Sequence, residues 1–148
     1  MAHQAGGSGW ENRPLQSKVT VSVATAVLSA GEVLDLVQPA VAAVEDDNGW
    51  LRVGERSSNR VAVTVRDMTR DDPAPALCFD VELDRAVGRV TARTVITSYE
   101  VRSSGVRALV PVTKRRLVGF SAYRAFMDRY VALLLQADPR ASGSFSGD

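Results

Sequence analysis

At 148 residues, with 45% hydrophobic and 24% charged side chains, the chain is long enough to bury the core of one domain. A formal net charge of +1 supplies no whole-molecule field that calls for nucleic acid or an acidic partner. No run of about 18 apolar residues is present, which excludes a membrane-spanning helix, and the single cysteine, Cys78, excludes an internal disulfide.

Residues 1–16, MAHQAGGSGWENRPLQ, are aperiodic and predict a flexible arm. They lack a charged stretch followed by an apolar one, so no secretory signal is expected; the lone thiol suits a reducing compartment, and cytoplasm is the expected location. KVTVSVATAV (18–27) sets Val19, Val21 and Val23 on one face and Thr20 and Ser22 on the other, the alternation of a half-buried strand. Ser29-Ala30-Gly31-Glu32 fits a capping box, and Val33, Leu36, Val37, Ala40, Val41 and Val44 follow at helical spacing. Pro39 inside that run removes a backbone donor, which predicts a kink or two short helices. Asp46-Asp47-Asn48-Gly49 then ends the helix with residues that tolerate positive φ.

A meander follows. GWLRVGER (49–56) and RVAVTVRD (60–67) are close enough for a hairpin. In ALCFDVELD (76–84), Leu77, Phe79, Val81 and Leu83 face in while Cys78, Asp80 and Glu82 face out. RVTARTVITSYEVR (89–102), the turn SSG and VRALVPVT (106–113) complete the strands. From about Gly119 to Gln136, Phe120, Tyr123, Met127, Tyr130 and Leu134 recur at helical spacing, and Phe126 and Leu133 widen the stripe, as in a helix lying on a sheet. ASGSFSGD (141–148) has no such period and predicts a loose end.

Strands in hairpin succession with helices at the ends predict an α+β fold. It comprises a curved antiparallel sheet of six or seven strands packed on a long C-terminal helix, with a short broken helix after the first strand. One domain over 17–138 lies between the arm (1–16) and a flexible tail (139–148). This order resembles the START-like helix-grip superfamily (SRPBCC), carried by the strand before Ser29, the Pro39-broken helical pair, the meander from Trp50 to Val112 and the helix from Phe120 to Leu135. The resemblance implies a pocket between sheet and helix for a hydrophobic or amphipathic small molecule or lipid. The family usually has seven strands, where six are counted here, and its members include carriers, sensors and cyclase- or hydratase-type enzymes, among which fold alone does not choose.

The residues supply little catalytic chemistry. His3 is the only histidine and lies in the arm, so the usual neutral-pH base is missing from the domain. Asp46-Asp47 and Asp71-Asp72 read as solvated loop charges, Cys78 has no basic neighbour to activate it, and no metal-ligand spacing is present. No catalytic residue, cofactor or metal is assigned. Tyr99, Phe79, Tyr123, Phe126, Met127 and Tyr130 are the candidates to line a cavity, with phenols orienting a ligand; the competing reading makes them core. Lys114, Arg115 and Arg116 ahead of the helix N-terminus, and Arg93 in mid-strand, are candidate anion contacts. Arg93 fits an exterior cross-strand charge better. Eight cations against Asp128 and Asp138 between 101 and 140 make a basic edge, but its aromatics lie on the core stripe, so DNA or RNA binding is not expected.

The first expectation is therefore non-catalytic binding of a hydrophobic small molecule or lipid. The alternative is an interaction or self-association module with a filled core, a homodimer being one candidate state. The third is a cyclase- or hydratase-type enzyme using Tyr99, Tyr123 or Arg93.

Overall fold

Five of the alternating runs of the sequence are strands among the described residues. The computed structural model describes residues 13–45, 49–71, 74–101, 111 and 116–147. In chain order these form β1 (Thr20–Thr25), α1 (Ala30–Asp35), α2 (Val37–Ala42), β2 (Gly49–Arg56), β3 (Arg60–Asp67), β4 (Leu77–Ala86), β5 (Arg89–Tyr99), α3 (Phe120–Ala137) and β6 (Ser142–Ser146). The fold is α+β: a six-stranded open sheet of order β2-β3-β4-β5-β1-β6, antiparallel throughout, with a C-terminal helix across one face.

Val21 and Val23 of β1, Val61, Val63 and Val65 of β3, Leu77, Phe79 and Val81 of β4 and Ala92 of β5 turn to the same side and are buried. The apolar stripe of α3 covers them, burying Ala122, Tyr123, Phe126, Met127, Tyr130 and Leu134. With 18 residues α3 spans about 27 Å and is not the long helix expected. It begins after Gly119, whose φ of 83° and whose backbone, close against the Val65 and Leu77 side chains, suit a residue without Cβ.

The broken helix is as the sequence implies. Ser29 Oγ accepts from the Glu32 amide (3.1 Å) and the Ser29 amide donates to Glu32 Oε1 (2.9 Å), closing the capping box at α1. Pro39 sits in the first turn of α2, where an amide would have no intrahelical partner. A continuous helix would drive its ring into the Asp35 carbonyl, and α1 ends at Asp35.

Three further expectations need correction. Residues 142–146, read as part of a loose tail, are β6, paired with β1 from Thr20↔Ser146 to Ala24↔Ser142. SGSFS carries one apolar residue and only a weak strand signal of its own; the open side of β1 specifies it. The end of the supposed arm is also ordered into the fold: Leu15–Lys18 forms a 3₁₀ turn, Pro14 is buried, and Gln16 Oε1 accepts from the Leu117 amide (2.8 Å). The long strand expected over 89–102 ends at Tyr99, and Val101 bridges Leu117 instead. The strand expected at 106–113 lies outside the described residues apart from Pro111, as do Trp10 and Asp46–Asn48.

Candidate functional site

Five of the six residues expected to line a cavity meet between sheet and helix. The Phe79 ring lies 4.8 Å from that of Tyr123 and 5.0 Å from that of Phe126, and Phe126 stacks on Tyr130 at 5.4 Å. With Met127 they are all at most 1% exposed. Their polar atoms are taken by the protein itself. Tyr130 donates to the Val33 carbonyl (2.8 Å) and Tyr123 to the Val19 carbonyl (2.6 Å). Since the Tyr123 proton is used there, Thr94 Oγ1, 2.9 Å away, donates to the phenol oxygen. Burial pushes the Tyr123 phenol up to about 12, with the Thr94 hydrogen bond pulling the other way, and burial raises Tyr130 as well. Tyr99 stands apart, half-buried at the end of β5 opposite Leu77.

The two charged candidates among the described residues, Arg93 and Arg116, lie apart. Arg93 lies on the outer face and pairs with Glu82 across β4 (3.5 Å). Arg116 is exposed beside a cleft of about 260 Å³ at the start of α3, lined also by Gln16, Asp67, Thr69 and Ser121. Asp67 puts a carboxylate at that cleft and spends it on Thr69 (2.9 and 2.6 Å) and Arg70 (3.3 Å). Lys114 and Arg115 lie outside the described residues. Cys78 is half-buried on the outer face, opposite Thr64 and Ser98. Among the described residues no three His, Cys, Asp or Glu side chains gather, and no helix is long and apolar enough to cross a membrane.

A further feature with binding capacity is the outer side of β6. Val21 donates its amide to Thr94 Oγ1 (3.0 Å) and so points toward β5. Antiparallel pairs alternate between hydrogen-bonded and non-bonded, so Thr20, Ser22 and Ala24 serve β6, where they bond Ser146, Ser144 and Ser142. Phe145 and Gly143, opposite Val21 and Val23, therefore turn their N–H and C=O groups away from β1, toward an edge that carries no strand among the described residues.

That strand is held firmly at both ends. The Asp138 carboxylate, 3% exposed, accepts from Thr25 Oγ1 (2.5 Å) and from the Arg140 amide (3.0 Å), tying the turn out of α3 to the end of β1. At the other end Gly147 has φ 88° and packs so closely on the Lys18 carbonyl that a Cβ would collide with it. Between them Gly143 lies under Val131 of α3, and the Arg124 guanidinium sits 4.4 Å over the Phe145 ring. None of Asp138, Gly143, Phe145 or Gly147 stands out in the sequence. The one local signal was Ser-Gly-Ser-Phe-Ser alternation, too weak in apolar content to register as a strand.

No protein-family model matches this chain, and no curated protein does either.

Proposed function

We propose that the chain is a non-catalytic interaction module that binds by accepting a strand at the outer edge of β6. The observation that carries this is the pair of outward backbone groups at Gly143 and Phe145, on a strand without charge, proline or register shift. Such an edge is a template for a further strand.

Two other readings have less support. The helix-grip resemblance would put an apolar ligand between sheet and α3, where it would have to part the packed rings of Phe79, Phe126 and Tyr130. A cyclase or hydratase would need an acid or base poised near neutral pH, whereas Tyr123 and Tyr130 are shut away and hold their protons well above it.

The test is a synthetic peptide spanning residues 139–147 titrated in excess into the protein, at a dilution where sedimentation shows a single copy, and followed by amide chemical shifts and exchange. Expected are shifts centred on Gly143 and Phe145, with protection gained there, and loss of both in Gly143→Pro. Shifts gathered at β2 or around Arg116, or none, would overturn the reading.

A further inference from the structure

Resting on the strand-addition reading, we infer that the occupant of this edge is β6 of a second copy, in a twofold dimer whose axis passes through Ser144. The backbone alone restricts the register. Only residues with outward amides can exchange hydrogen bonds across the new seam, and within β6 these are Gly143 and Phe145. An antiparallel pair centred on Ser144 sets Gly143 of each copy opposite Phe145 of the other, so both hydrogen-bonded pairs form and all five residues of the strand are matched. Centring on Gly143 or on Phe145 instead would match only three residues of each strand.

The side chains agree with that register. Gly143 and Phe145 share the helix-facing side, since they stand opposite Val21 and Val23. Each Phe145 ring therefore lies beside a glycine of the other copy, where no side chain competes for the space. An aromatic across from an edge glycine is a known stabilising pair. The wall behind Gly143 is apolar: its Cβ position is 3.7 Å from Val131 Cγ1, and Leu135, one turn further along α3, is 38% exposed. Phe145 is 37% exposed in the single copy and would be covered. The other face offers Ser142, Ser144 and Ser146, with no like charges brought together.

Disulfide trapping tests the axis. In a Cys78→Ser background, Ser144→Cys places its thiols on the axis in a non-hydrogen-bonded pair, where Cα atoms are about 4.5 Å apart, within the range of a disulfide. In Ser142→Cys the two thiols sit on opposite sides of the axis, about 13 Å apart along the strands. Mild oxidation is expected to convert Ser144→Cys to a covalent dimer and to leave Ser142→Cys monomeric. By sedimentation, the wild type and Gly143→Ala are expected to dimerise, while Gly143→Pro remains monomeric with its β2–β3 amide spectrum unchanged. Equal cross-linking of the two cysteine variants, or a wild type that stays monomeric at all concentrations, would overturn the dimer. If the 139–147 peptide still protects Gly143 and Phe145 in that monomer, self-pairing alone has failed. If it does not, the strand-addition reading has failed with it.

Discussion

The two edges of the sheet are built to opposite rules. β2 runs for eight residues and carries Arg52, Glu55 and Arg56, with its register on β3 shifted between Val53 and Arg56. Arg56 reaches back to Asp35 (2.8 Å), and Arg52 lies over the exposed Trp50 ring (5.6 Å). Charge and a bulge are what keep an edge from pairing with another chain. β6 has neither: five small or aromatic residues in unbroken register with β1. Among the described residues one edge carries charge and a bulge and the other neither, while both are clamped to the same core.

Breaking that core should affect both edges alike and most severely. Phe126→Ala removes the ring between Phe79 and Tyr130, and a loss of about 3–5 kcal/mol is expected from urea unfolding. A loss below about 1 kcal/mol would mean a slack interior with room for a ligand. Asp138→Ala should separate the edges. It leaves the Thr25 hydroxyl and the Arg140 amide without their acceptor, at about 1–3 kcal/mol. Exchange at Ser142, Ser144 and Ser146 should rise while β2–β3 amides stay protected.

Alkaline pH probes what α3 holds: the seam between β1 and β5 through Tyr123, and α1 through Tyr130. Tyr123 and Tyr130 hold their protons more tightly folded than unfolded, so their contribution is complete below about pH 10, the ordinary phenol value. It should be lost as pH rises through about 12. Tm measured from pH 9 upward is expected to fall over that interval, less steeply in Tyr123→Phe; a flat Tm would contradict the burial. Smaller still, Ser144→Lys makes β6 resemble β2. It should weaken self-association in sedimentation while stability stays within about 0.5 kcal/mol. Arg56→Ala at the charged edge removes an exposed ion pair worth about 0–1 kcal/mol.

Much of the fold was legible because its signals are local. Alternating valines mark β1 and β3, Ser29 and Glu32 cap α1, Pro39 divides the helical pair, and the aromatic stripe of α3 shows its buried side. The same stripe says less about function. Periodicity says that Tyr123 and Tyr130 face the sheet, but not whether the space there is empty. That depends on the volumes of Phe79 and Phe126 and on the Val19 and Val33 carbonyls that receive the hydroxyls, the latter about a hundred residues away in the chain.

By itself, then, the sequence determined five strands, the broken helix and the apolar face of the last helix, since strand and helix periods need only near neighbours. Tertiary structure alone decided β6 and its outer edge. A serine- and glycine-rich segment has no preference strong enough to become a strand. It does so here because β1 offers it unpaired backbone groups, with Asp138 bound to Thr25 and Gly147 seated on Lys18 holding it there.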